Sequence, residues 1–170
     1  MMNRLDHFAR GLLPLFTLLT VIVFSAVPTG LPLYAMIAPQ LALMTLYYWS
    51  IYRPELLNPL MVLVLGLLQD MLIGGIPGIT SFILLVAYLV VVSQHRFFHG
   101  KSFSVVWWGF MLVAPGAALM AWFGNIVLTG QWIDPTSSLV SLLLTIMLYP
   151  VLAAFLSQVH KLVPAREVIL

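Results

Sequence analysis

Residues 52–78 read YRPELLNPLMVLVLGLLQDMLIGGIPG, which is a charged turn, an apolar segment and a glycine-rich turn in succession. Glu55 and Asp70 are the only acidic residues between Asp6 and Asp134. Asp70 lies near the far end of the apolar segment. An ionised carboxylate at the centre of a membrane helix costs roughly 2.5–3.5 kcal/mol, and less toward the helix ends. We therefore expect Asp70 to lie near a helix end and to have a specific role there.

The composition of the chain is that of a membrane protein. Of its 170 residues, 62% are hydrophobic and 7% are charged, whereas soluble domains are typically about 25% charged. Because so few charges cannot cover a soluble surface, the lipid bilayer is the expected solvent. The seven Lys and Arg residues are spread along the chain rather than clustered, which argues against nucleic-acid binding. The absence of cysteine excludes disulfides, thiolate metal sites and a cysteine nucleophile.

Six apolar segments are candidates for crossing the membrane. A spanning helix needs about 20 residues, with 17–25 usual. We predict a single all-α membrane domain over residues 1–170, in which six transmembrane helices form one bundle, near 11–27, 31–50, 57–73, 79–94, 103–128 and 138–160. The first segment fits a signal-peptide cleavage site poorly, so it is expected to remain as the first helix.

All seven positive charges fall on one side of this six-helix arrangement. They lie at the two termini, in the turn near 50–57 and in the loop 94–102. The three intervening turns carry no Lys or Arg. Since cytoplasmic loops carry an excess of Lys and Arg, this distribution predicts that both termini are cytoplasmic.

The cysteine-free chain allows a direct test of this topology. A single cysteine at Thr29, Gly75 or Thr136 is expected to react with an impermeant thiol reagent added from the periplasm, because these positions lie in the uncharged turns. A cysteine at Ser102 is expected to be protected. Labelling of Ser102→Cys in intact cells would contradict the orientation.

Aromatic residues near the predicted helix ends suggest belts at the two membrane–water interfaces. Such positions are Tyr47, Tyr48, Trp49, Trp107 and Trp108 on one side and Trp132 on the other. We expect these side chains to face the lipid headgroups.

Three roles are open for Asp70. Its carboxylate can tie its helix to a neighbouring one, with Asn125 or Gln131 as donor at similar depth, or it can contact a partner or ligand. It can also be a helix-end carboxylate that caps amides of the Gly74-Gly75 turn. The lack of a second buried ionisable group in the sequence favours a structural or docking contact over proton transfer.

Arg53-Pro54-Glu55 predicts a tight turn on the cytoplasmic side. Pro54 cannot continue the preceding helix, and its ring disfavours the helical conformation for Arg53. The charges either anchor the topology or offer a docking contact.

The fifth and sixth predicted helices carry faces of small or hydroxylated residues. Such faces let helices approach closely and form hydrogen bonds across lipid. They are Gly109, Gly116, Ala117 and Gly124 on the fifth helix and Ser138, Ser141, Thr145, Tyr149 and Ala153 on the sixth. The faces either pack inside the bundle or dock another membrane protein.

The sequence shows no catalytic signature. It lacks a glycine-rich phosphate loop, a Gly-x-Ser-x-Gly elbow and a His-Glu-x-x-His helix. His95 and His99 have the spacing of helical metal ligands, but no carboxylate is near them in sequence, so interfacial residues are the favoured interpretation. We therefore expect a protein that is not an enzyme and uses no cofactor or metal.

The stretch 48–78 resembles the rod shape-determining protein MreD family. Three segments carry the resemblance: Tyr48-Trp49-Ser50-Ile51-Tyr52-Arg53-Pro54-Glu55, Gly66-Leu67-Leu68-Gln69-Asp70 and Gly74-Gly75-Ile76-Pro77-Gly78. Chain length and the six predicted spans also suit that family. We take Arg53, Glu55, Gln69, Asp70, Gly116, Gly124 and Asn125 as candidate structural or partner contacts.

The resemblance implies a multi-pass protein of the bacterial inner membrane that acts in the cell-elongation machinery. The implied direct partner is the bitopic protein MreC. MreB filaments, the glycosyltransferase RodA and a class B penicillin-binding protein are the implied indirect partners in lateral peptidoglycan synthesis. The resemblance also implies a fold similar to the substrate-binding subunits of energy-coupling-factor transporters, and hence an alternative function as a small-ligand-binding subunit of a vitamin-type transporter.

Overall fold

The computed structural model describes the backbone of residues 2–27, 40–98 and 100–161, and the side chains of 13–27, 40–98 and 100–160. Within these ranges the chain is helical and contains no strand. The helices are α1 (Met2–Ala26), α2 (Leu41–Tyr52), α3 (Pro59–Ile73), α4 (Ile79–Phe98), α5 (Phe103–Thr129) and α6 (Pro135–Lys161), with a 3₁₀ turn at Pro54–Leu56. The all-α prediction is confirmed. The first part of the predicted second span, 31–39, lies outside the described residues.

Three of the described helices are long and apolar enough to cross a membrane: Ile79–Phe98, Phe103–Thr129 and Pro135–His160. The apolar parts of α1 (Leu13–Ala26) and α3 (Pro59–Ile73) are shorter than a usual span. The described helices therefore support a membrane protein with at least three candidate spans. The count of six spans remains a prediction.

Helix α2 forms the centre of the molecule and packs against α1, α4 and α6. Every residue from Ala42 to Ile51 is buried. A helix that is buried on all sides has no polar face, which explains why α2 is apolar around its whole circumference. Tyr47, Tyr48 and Trp49 therefore belong to the protein core.

The expectation that Tyr47, Tyr48 and Trp49 face lipid headgroups is wrong. The Trp49 indole N–H donates to Thr17 Oγ1 at 3.0 Å, and the Tyr47 hydroxyl donates to the Val106 carbonyl at 2.8 Å. Buried Tyr and Trp need such partners for their polar groups. By contrast, Trp108 and Trp132 are largely exposed, as a residue of an interfacial belt would be.

Asp134 precedes α6 and organises its start. The Thr136 hydroxyl and N–H donate to Asp134 Oδ1 at 2.7 and 3.0 Å. These bonds lower the pKa of the Asp134 carboxyl. A carboxylate at this end of a helix is favourable because the helix dipole is positive there.

Tyr149 of α6 is fully buried, and its ring stacks on Phe110 of α5 with centroids 4.3 Å apart. Among the described residues, its hydroxyl has no hydrogen-bond partner. A buried hydroxyl without a partner costs free energy, whereas the ring packing stabilises the α5–α6 contact.

We expect Tyr149→Phe to leave the free energy of unfolding unchanged or to raise it by about 1 kcal/mol, because only the unpartnered hydroxyl is removed. Tyr47→Phe is the matched control. It removes a bonded hydroxyl and is expected to cost about 1 kcal/mol. Unfolding in detergent, followed by circular dichroism, measures both. A larger loss for Tyr149→Phe than for Tyr47→Phe would show that the Tyr149 hydroxyl is bonded.

Candidate functional site

The motif residues 66–78 build a helical hairpin from α3 and α4. Helix α3 starts at Pro59, and the side chain of Asn58 caps it by accepting a bond from the Leu60 N–H at 3.1 Å. It ends at Gly74, which has a left-handed conformation with φ 75°. Glycine suits this position because other residues are strained there.

Asp70 holds the turn of this hairpin with both its backbone and its side chain. Its carbonyl accepts bonds from the N–H groups of Gly74 and Gly75, both at 3.1 Å. Its carboxylate Oδ2 accepts a bond from the Gly78 N–H at 2.8 Å. The residue is only 4% exposed. The Asp70 side chain thus reaches over the turn and joins the end of α3 to the start of α4.

The donors that the sequence suggested for Asp70 are not the ones the structure shows. Asn125 donates to the Ala121 carbonyl of its own helix at 2.7 Å. Gln131 is exposed, and its backbone N–H donates to Thr129 Oγ1 at 3.3 Å. A local amide satisfies the carboxylate instead, because the loop from 74 to 78 folds back within reach of the last turn of α3.

Gly66 permits the close approach of α3 and α4. A Cβ added to Gly66 would lie 2.5 Å from Ser81 Cα and 2.9 Å from Ser81 N. The Ser81 hydroxyl donates to the Leu63 carbonyl at 3.3 Å across the same contact. Sequence reasoning did not single out this pair. The signal that was available is Gly66 in the middle of an apolar helix, a position that costs stability unless a backbone packs against it.

Gln69, next to Asp70 in the motif, is half-buried. Its Oε1 atom is enclosed and has no hydrogen-bond partner among the described residues. It does not take part in the cap that Asp70 makes with Gly78.

Arg53 and Glu55 lie at the opposite end of α3 from Asp70. Helix α2 ends at Tyr52, and the 3₁₀ turn follows at Pro54. Arg53 Nε and Glu55 Oε1 form an ion pair at 2.7 Å, with the Glu55 side chain largely exposed. An exposed pair of this kind contributes about 0–1 kcal/mol, so its charges orient the turn more than they stabilise it.

The small-residue faces of α5 and α6 divide between inner packing and open surface. On α6, Ser141, Thr145, Tyr149 and Ala153 are buried inside the molecule, while Ser138 is half-buried. On α5, a Cβ on Gly109 would lie 2.5 Å from the Tyr47 hydroxyl oxygen, and one on Gly124 would lie 3.9 Å from Ile79 Cγ2. A Cβ on Gly116 would have no neighbour within 4 Å.

The chemistry available at the hairpin is hydrogen bonding that holds a turn.

The two histidines with the spacing of metal ligands are His95 and His99. The ring Nδ1 of His95, on α4, is 2.6 Å from the Val92 carbonyl oxygen of its own helix, while His99 lies outside the described residues. In the described part of the chain, no three His, Asp or Glu side chains are grouped to hold a metal ion.

Comparison with known proteins identifies the family. The model of the family described as "rod shape-determining protein MreD" matches residues 6–159. No curated protein and no solved structure matches the chain. The expected likeness to transporter substrate-binding subunits therefore stays a prediction. Because the match covers most of the 170 residues, the chain belongs to the rod shape-determining protein MreD family.

Proposed function

We propose that this protein is a non-enzymatic scaffold of the bacterial inner membrane that helps to organise lateral peptidoglycan synthesis through contact with MreC. Family membership supports a role in determining rod shape. The proposal adds MreC as direct partner, and MreB, RodA and a class B penicillin-binding protein as indirect partners in the elongation machinery. It also places both termini in the cytoplasm, from the distribution of Lys and Arg.

The observation that carries the scaffold proposal is the set of hydrogen bonds that Asp70 accepts from its own turn. A buried carboxylate in a membrane protein is by default a candidate for ion or proton chemistry. Here Asp70 Oδ2 accepts the Gly78 N–H, and its carbonyl accepts two further amides of the same turn. The group therefore works as a structural cap, which suits a protein that holds others in place.

A rigid hairpin also suits this function in energetic terms. In lipid, helices gain little from the hydrophobic effect, so association depends on close packing and hydrogen bonds. Surfaces that are already ordered lose less conformational entropy on binding. The Gly66–Ser81 contact and the Asp70 cap supply that order for α3 and α4.

The direct experiment is co-purification of tagged protein with MreC in mild detergent from cells that contain both. We expect MreC to be retained by the unmodified chain and to be reduced by Asp70→Leu at equal membrane levels. Asp70→Asn, which keeps an oxygen acceptor, is the matched control and should retain MreC. Failure of the unmodified chain to retain MreC, together with a tightly bound small molecule, would favour the ligand-receptor function instead.

A further inference from the structure

A lateral groove runs between α4 and α5, with a volume of about 270 Å³. Its walls are mostly apolar and include Val86 and Val90 of α4 and Leu112, Gly116 and Met120 of α5. Gly116 has open space where a Cβ would lie, whereas Gly109, farther along the same groove, is covered by Tyr47 and Phe98. Both α4 and α5 are candidate spans, and Val90 and Leu112 in the groove wall are exposed, so the groove opens on the lateral surface of these two helices.

The length of the groove corresponds to one leaflet. At about 1.5 Å per residue, its lining extends roughly 16 Å along α5, from Gly109 to Met120, and roughly 22 Å along α4, from Ile83 to Phe98. Half of a bilayer is about 15 Å of hydrocarbon, or about 20–22 Å with the headgroup region. A partner helix that spans about 30 Å of hydrocarbon would extend roughly 8–14 Å beyond the groove, whereas one phospholipid chain would lie within it.

Positive charge lies at one end of the groove. Phe98 lines the groove, and the chain turns there, because the Lys101 N–H donates to the Phe98 carbonyl at 3.1 Å. Lys101 Nζ lies 5.9 Å from the centre of the Phe97 ring, and that ring lies 5.4 Å from the ring of Phe98, centre to centre. Lys101 has no ion pair within the described residues.

The sequence on either side of Lys101 holds no acidic residue that would offset its charge. No Asp or Glu occurs between Asp70 and Asp134. Glu55, in the 3₁₀ turn that follows α2, is already paired with Arg53 at 2.7 Å. The Gln94 side chain adds an uncharged amide to the lining at the charged end of the groove.

We propose that this groove is a binding site for an anionic phospholipid. One acyl chain lies along Val86, Val90, Leu112 and Gly116, and the phosphate lies at Lys101, with Gln94 as a hydrogen-bond donor. Basic pockets between membrane helices bind anionic headgroups in this way. The apolar walls explain why a lipid binds, and the Lys101 ammonium group, which has no ion pair within the described residues, explains why the lipid is anionic.

The test is native mass spectrometry of the purified full chain in detergent, with added phosphatidylglycerol or phosphatidylcholine of identical acyl chains. We expect preferential retention of phosphatidylglycerol. Lys101→Gln should weaken its binding by about 5-fold, down to the level of phosphatidylcholine. Gly116→Phe should reduce binding of both lipids, because the added ring fills the groove.

Two matched variants separate the site from general effects. Arg53→Gln removes one charge from a different turn, and Leu119→Phe adds a ring to an exposed position of α5 outside the groove lining. Both should bind phosphatidylglycerol like the unmodified chain. Equal retention of the two lipids by the unmodified chain would overturn the proposal, as would equal losses in Arg53→Gln and in the groove variants. A dimer that Gly116→Phe abolishes would assign the groove to a second copy instead.

Discussion

Gly66→Ala is expected to push α3 away from α4 and to lower the free energy of unfolding by about 3 kcal/mol, at the upper end of overpacking costs. The added Cβ would lie 2.5 Å from the Ser81 Cα. Backbone cannot turn aside as a flexible side chain can, so relief requires the two helices to separate. Separation also lengthens the bond from the Ser81 hydroxyl to the Leu63 carbonyl. Unfolding in detergent, followed by circular dichroism, measures the loss.

Gly116→Ala is the matched control for this variant. It makes the same chemical change in another membrane helix, at a position with no neighbour within 4 Å of the new Cβ. Because glycine inside a helix costs roughly 0.5–1 kcal/mol relative to alanine, Gly116→Ala should be neutral or stabilising. Stabilisation by both substitutions would show that α3 and α4 are not in close contact at Gly66.

Asp70→Leu is expected to abolish or strongly reduce rescue of cell shape in a strain that lacks its own copy of the protein. The substitution leaves the Gly78 N–H without its acceptor, at a cost of about 1–3 kcal/mol. It also releases Gly78 from the end of α3. The turn is then held to this helix by the two bonds that the Gly74 and Gly75 N–H groups donate to the Asp70 carbonyl. Rescue of rod shape at equal membrane levels is the measurement.

Asp70→Asn separates the hydrogen bond from the charge. The asparagine oxygen can still accept the Gly78 N–H, so this variant should fold and largely restore rod shape. If Asp70→Asn fails as completely as Asp70→Leu while both are inserted and stable, the negative charge itself is required. An ionic or proton-linked role for Asp70 would then replace the structural one.

The helical class and the limits of several helices could be predicted from the sequence because they depend on local chemistry. Pro54 ends α2 at Tyr52, and Gly74 ends α3, as expected of residues that cannot continue a helix or that adopt positive φ. The low share of charged residues identified a membrane protein. The motifs in the stretch 48–78 pointed to the family that the family model then confirmed.

Which side of each helix points to the core, and which side points to lipid, could not be predicted in the same way. In a soluble protein, polar residues mark the outer face of a helix, but lipid-facing and core-facing side chains are both apolar. Tyr47, Tyr48 and Trp49 therefore looked like an interfacial belt, although α2 lies at the centre and buries them. Periodicity carries little information about orientation where the solvent is as apolar as the core.

Two residues of the same type can also have different roles, and only their neighbours in the folded structure show which role each has. Gly66 and Gly116 are both helical glycines in apolar segments, yet one meets the backbone of α4 and the other meets open space. A bond from Asn125 or Gln131 was one of the roles left open for Asp70, but the fold of the turn brings the Gly78 amide to its carboxylate instead. Local residue chemistry thus determined the helices and the turns, whereas the packing of one helix on another determined which side chains are contacts, which are core and which face lipid.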